Sequence, residues 1–154
     1  MPKVSQESPV AEVAREMAGP AQSGIDYVHK KHIVEDLASG NANAFAFAVQ
    51  NPEDVDCIVT NVIVDITNAG GTGSSVLDVD VVDGATDTGD DIIDGLDLNA
   101  TGSSDRHNAA GSNGGAPLKW DKNGGTNDHV TGKILVQNAA SLAGKVIIEY
   151  VPLS

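Results

Sequence analysis

The sequence is short of aromatic residues: its 154 positions hold two Tyr, two Phe and one Trp. A core must therefore be built from Val, Ile, Leu and Ala, which suits strands better than a helical bundle. A single cysteine, Cys57, excludes an internal disulfide, and its apolar surroundings predict a small buried side chain. No apolar run approaches the roughly 20 residues of a membrane span, and the N-terminus lacks the charged-then-apolar pattern of a signal peptide. The expectation is a soluble protein made in the cytoplasm. Basic residues are scarce as well, nine Lys and Arg against 22 Asp and Glu, for a net charge of −13. Such a balance repels phosphate backbones and anionic lipid, which argues against nucleic acid and membrane as partners.

The basic residues are also unevenly placed, with none between Lys31 and Arg106. Residues 1–43 carry four basic and six acidic groups, residues 44–105 none and 13, and residues 106–154 five and three. All the net charge therefore lies in the middle third. Its carboxylates must be solvated, paired across the fold or between subunits, or bound to cations. Adaptation to a saline medium would leave the same signature.

What is present falls into two regions. In residues 1–43, Ser8 as N-cap, Pro9 at the first helical position and Val10, Val13, Ala14 and Met17 at helical spacing predict one short helix over 9–18. Gly19 and Pro20 close it, a linker runs to Gly24, and Tyr27 to Val34 reads as an edge strand guarded by Lys30 and Lys31. A helix this short is marginal alone and needs a surface to lie on.

From residue 44 to 154 the period is two. Phe45, Phe47 and Val49 share one face; Ile58, Thr60, Val62, Val64 and Ile66 share another; Leu77, Val79 and Val81 alternate with Asp78 and Asp80. Ile92, Ile93, Leu96 and Leu98 fit a strand or a helical turn. Val130 to Asn138 is expected to bury Ile134 and Val136, and Lys145 to Val151 to bury Val146, Ile148 and Tyr150. Residues 99–117 and 121–128 show no periodicity and read as loops. The fold class that follows is mainly β, an antiparallel sandwich with an N-terminal arm.

No catalytic constellation emerges. Asp87-Thr88-Gly89 matches the aspartic-protease triplet but lacks the apolar flanks that bury a catalytic carboxylate. Asp78, Asp80 and Asp83, with Asp87, Asp90, Asp91 and Asp94, invite a Ca²⁺ reading, but the helical calcium-loop spacing fails, because counted from Asp78 the fifth position, which needs oxygen, is Val82. Asp78 and Asp80 fit the wet face of a strand, which leaves Asp83, Asp87, Asp90 and Asp91 as candidates in the 83–94 loop. His29 and His32 have no further ligand at zinc spacing, and His107 and His129 have no nucleophile motif beside them. The Asn99-Ala100-Thr101 sequon is without a secretory signal, and the Gly-rich stretches contain no phosphate or dinucleotide fingerprint. No cofactor is expected.

Phe47 to Pro52, Val62 to Thr67, Val76 to Val79, Ile92 to Gly102 and Ile147 to Tyr150 together resemble small β-sandwich proteins found among the head genes of tailed bacteriophages. Ile93-Asp94-Gly95-Leu96-Asp97-Leu98-Asn99 and the three residues after it are the most specific part. The resemblance implies a jelly-roll-like virion component made in the host cytoplasm. The implied role is a decoration, or cement, protein on the outer capsid surface, bound to the major capsid protein and commonly trimeric; it carries over no catalytic residues. In that reading Val10, Val13 and Met17 dock on a neighbour, the 99–117 loop with Arg106 and His107 packs at a symmetry axis, and Trp120 is a further contact residue. The alternative is a receptor- or glycan-binding sandwich of a tail or fibre, for which Trp120 is the one aromatic available for stacking.

Overall fold

The computed structural model describes residues 29–154. The predicted helix and its Val10, Val13 and Met17 lie outside the described residues. Nine strands follow in order: β1 (Lys31–Asp36), β2 (Phe45–Gln50), β3 (Cys57–Asn68), β4 (Val76–Val82), β5 (Ile93–Asp97), β6 (Gly102–Asp105), β7 (Leu118–Trp120), β8 (His129–Leu135) and β9 (Ala143–Pro152). All pairings are antiparallel and no helix occurs among the described residues.

Two sheets form, one in the order β1-β9-β3-β6 with β7 also on β3, the other β2-β8-β4-β5. The partners obey a simple rule: β1 pairs with β9, β2 with β8, β3 with β6 and β4 with β5. This is one long ribbon, folded back at the β4–β5 connection and rolled so that successive rungs fall in opposite sheets. β3, 12 residues long, is the axis of its sheet: β9 lies along one side, and β6 and β7 lie end to end along the other. One apolar cluster draws Val62, Val64, Val146 and Ile148 from the first sheet and Leu77, Val79, Val130 and Ile134 from the second, all fully buried. Strand β1, placed by the sequence in residues 1–43, pairs along its whole length with β9 and is part of this body.

Bulges account for the places where simple alternation misplaces a face. In β3 the register with β9 slips between Val59 and Asn61. Cys57 and Val59 are therefore buried ahead of the slip and Val62, Val64 and Ile66 after it, while Ile58 and Thr60 point away from the core. In β2 a slip between Phe45 and Phe47 turns Ala46 and Phe47 both inward. Strand β8 ends at Leu135, so Val136 is not a core residue: it sits in a turn at φ +69 with 66% of its surface exposed.

The 99–117 segment is not structureless. Gly102 to Asp105 forms β6 despite its weak strand propensity, because β3 offers a free ladder there. The rest is laid against β5, with the Asp94 N–H donating to Ala109, Gly115 to Ile92 and Ala116 to Asp91. Its Gly, Ala, Ser and Asn content reflects that close approach: a Cβ on Gly111, at φ +57, would sit 2.3 Å from the Asp94 carbonyl oxygen.

Candidate functional site

Three carboxylates of the acidic middle third, Asp78, Asp90 and Asp94, meet on the outer side of β4 and β5. Leu77 pairs with Leu96 and Val79 with Ile93, so Asp78 alone opposes both Asp94 and Gly95. The extra residue is absorbed by Gly95 at φ +78, a bulge geometry that favours glycine. The bulge aims the Gly95 N–H at Asp78 Oδ1, 2.7 Å away. It also brings carboxylate oxygens of Asp78, Asp90 and Asp94 within 4.8 Å of one another.

These carboxylates already have partners. Asp94 Oδ2 accepts the N–H groups of Ser112 at 2.9 Å and Asn113 at 3.1 Å, and Asp90 Oδ2 accepts Asn113 Nδ2 at 2.8 Å. The cluster thus moors the 106–117 segment to the sheet edge. Burial, helped by the charges of Asp94 and Asp90, pushes the Asp78 carboxyl above its ordinary value. Burial also raises Asp80, to about 6, with Asp91 and Asp90 adding repulsion. Three oxygens this close could hold a hard cation. Of the four Ca²⁺ candidates from the sequence only Asp90 belongs to the group; Asp83, Asp87 and Asp91 stand outside it, and Asp78 and Asp94 complete it.

The predicted contact residues separate. Arg106 is half-buried, and its guanidinium donates to the carbonyls of Thr60 and Gly115, stapling the 106–117 segment to β3. His107 is exposed at the tip of a turn held by Asp105, whose Oδ1 accepts the His107 and Asn108 N–H groups. Trp120 is not a surface residue. It is 0% exposed and packs edge-on against Tyr150, ring centroids 5.5 Å apart. Strand β7 turns it inward because its ladder with Cys57 to Val59 places Trp120 opposite the buried Cys57. The side chain can neither contact a partner nor stack on a sugar.

The sequence reading missed Asn51, the polar hub at one end of the sandwich. It is fully buried, and its Nδ2 donates to the carbonyls of Val55, Trp120 and Asp121 while Oδ1 accepts the Glu53 N–H. Beside it Asp128 accepts Gln50 Nε2 at 2.7 Å and the Gly124 N–H at 2.9 Å and lies 2.5 Å from His129 Nδ1. The Gln50 hydrogen bond holds the Asp128 carboxyl below its usual range. Glu53 is depressed chiefly by Lys31, and it also accepts the Tyr150 hydroxyl at 2.9 Å. An Asn beside a Pro, followed by Glu, gives no periodic signal that would announce such a hub.

The fold is therefore a two-sheet β-sandwich whose polar groups mostly fasten loops to sheets. No protein-family profile matches the sequence, and no curated protein matches it. Among solved structures it is similar to a chain in the capsid of Ralstonia phage GP4, at 14% identity and a TM-score of 0.54, covering 84% of this chain and 89% of that one. It also matches a chain of the cyanophage Pam1 capsid asymmetric unit at 16% identity and a TM-score of 0.46, covering 86% and 96%. The first of these establishes a shared fold.

Proposed function

We propose that the chain is a structural component of a virion, a jelly-roll-like decoration protein that binds the outer surface of a tailed-phage head. The observation that carries the reading is the likeness of the fold, over 84% of its length, to a chain in a phage capsid. The rolled ribbon, β1-β9-β3-β6 against β2-β8-β4-β5, supports a jelly-roll description. Charge supports the outward position, because a net −13 would oppose packaged DNA on the inner wall. The mechanism is mechanical: many copies bridge major capsid protein subunits, and homotrimers spread the load of internal pressure. Neither catalysis nor a cofactor enters. In this reading His107 and the 1–28 segment with Val10, Val13 and Met17 supply contacts, whereas Arg106 acts inside the subunit.

The burial of Trp120 tells against the glycan-binding alternative, since it removes the aromatic that alternative relied on. The test is to purify heads built from the major capsid protein of the same genome and add the chain in excess. Saturable co-sedimentation, with heads surviving heating or osmotic shock that bursts undecorated ones, is expected. Failure to co-sediment at any ratio would refute the proposal.

A further inference from the structure

Strand β1 is the terminal strand of its sheet, and among the described residues it pairs with β9 alone. Its outer backbone edge is thus a row of hydrogen-bonding groups with no ladder partner among the described residues. Its side chains are nearly all exposed: only Ile33 is half-buried, and Val34 leaves 49% of its surface open.

The charge order along this edge is symmetric about Ile33. Lys30, Lys31 and His32 precede it, and Val34, Glu35 and Asp36 follow. From that order we infer that β1 is a self-pairing edge, which joins a second copy of this chain through an antiparallel β1–β1 ladder centred on Ile33. A twofold axis normal to the sheet keeps outer faces on one side, so only residues of the same parity can stand opposite each other. In the register centred on Ile33, Lys30 faces Asp36 and Lys31 faces Glu35, each twice, with Ile33 on its own copy. A shift of two residues either way leaves Lys31 opposite Leu37 or Ile33 and loses all four pairs. A parallel ladder would set Lys against Lys.

Edge lysines usually discourage pairing. Here the acids at the other end of the strand make them select one orientation and one register. The internal ion pairs do not block this. Lys30 with Glu149, Lys31 with Glu53 and Asp36 with Lys145 leave side chains of Lys30, Lys31 and Asp36 54%, 49% and 80% exposed. One short ladder buries less than a stable interface needs, so the contact is weak in free solution and gains strength when copies are held side by side. The inference rests on β1 alone and stands whether or not the chain decorates a capsid.

The test uses the full chain in sedimentation velocity over a concentration series. Glu35→Lys sets Lys against Lys31 of the second copy twice and leaves every ion pair named above intact. It is expected to weaken the self-association step about tenfold or more, taking cross-strand charge pairs at their ordinary strength. Adding Lys31→Glu to the same chain restores opposite charges across the ladder; it gives up the internal Lys31–Glu53 pair, so its fold is checked by thermal unfolding, and the folded double variant should recover the association. A second variant reads the register: Ile33→Cys should give covalent dimers under mild oxidation, and Glu35→Lys in that background should suppress them. Absence of any concentration-dependent species, failure of the folded double variant to recover, or cross-linking indifferent to Glu35→Lys would each overturn the inference.

Discussion

Replacing Asp80 with Asn should stabilise the protein at neutral and alkaline pH and do almost nothing in mild acid. Asp80 lies on the outer face of β4, half-buried, with its Oδ1 accepting the Val81 N–H at 2.7 Å. The 87–89 segment closes over it so tightly that a Cβ on Gly89 would come within 2.0 Å of Asp80 Oδ2. Loss of water, with the charges of Asp91 and Asp90, raises its pKa from 3.8 to about 6. A raised carboxyl binds its proton more firmly in the folded chain. Folding therefore carries no penalty below about pH 4, and the penalty grows as pH rises through the window from 3.8 to about 6. At 1.36 kcal/mol per unit the shift corresponds to about 3 kcal/mol, and solvent reaching the carboxyl edge reduces it to about 2. Asn keeps an oxygen for the Val81 N–H and removes the charge. Thermal unfolding of the two proteins should then differ by roughly 4–8 °C at pH 8 and converge near pH 4, since 1 kcal/mol moves a chain of this size by about 2–4 °C. An equal difference at both pH values, or a less stable variant at pH 8, would refute the reasoning.

Other outcomes follow from the same structure. Asn51→Ala strands the buried Trp120 carbonyl, the part-buried carbonyls of Val55 and Asp121 and the Glu53 N–H that its amide serves, and should cost about 2 kcal/mol in urea unfolding. Val136→Gly should stabilise by about 1 kcal/mol, because it relieves a β-branched residue at φ +69 whose exposed side chain contributes little packing. Gly95→Ala should do the reverse by about 1 kcal/mol: nothing crowds a Cβ there, so the loss measures backbone strain at φ +78 alone. Fluorescence from Trp120 should be blue-shifted and resist iodide quenching until the chain unfolds, since the ring is 0% exposed; ready quenching of the native protein would contradict its placement.

The sheets were legible because β4 and β9 keep a strict or nearly strict period. Leu77 and Val79, and Val146, Ile148 and Tyr150, are all buried as their spacing predicts, whereas Ile93 and Leu96, three apart across the Gly95 bulge, fitted a strand and a helical turn equally. What alternation could not reveal were the slips. A single unpaired residue near Asn61 reverses the faces of Ile58 and Thr60, and no residue type there signals it. Strand β6, Gly-Ser-Ser-Asp, was unreadable for a related reason: its pairing comes from β3, not from its own propensity. Val136 reads as a strand residue because valine favours strands, yet the chain turns there. At the acidic site, composition gave the excess of carboxylates but not their grouping. Asp78 and Asp94 meet only through the Gly95 bulge, and Asp83 and Asp87, close in sequence, do not join them. Trp120 misled through its rarity: a sole Trp suggests a binding residue, but an aromatic-poor core has the greater need of it. Asn51 went unseen because a buried amide serving three backbone carbonyls has no sequence spacing of its own.

The central claim is that this β-sandwich sits on the outside of a phage head and bridges its shell subunits. The most direct measurement is a pair of electron-microscopy maps of heads assembled with and without the chain. The account predicts added two-layered density on the outer surface, in contact with neighbouring major capsid protein subunits and fitted by residues 29–154. Identical maps, or added density on the inner wall or on the tail alone, would contradict it.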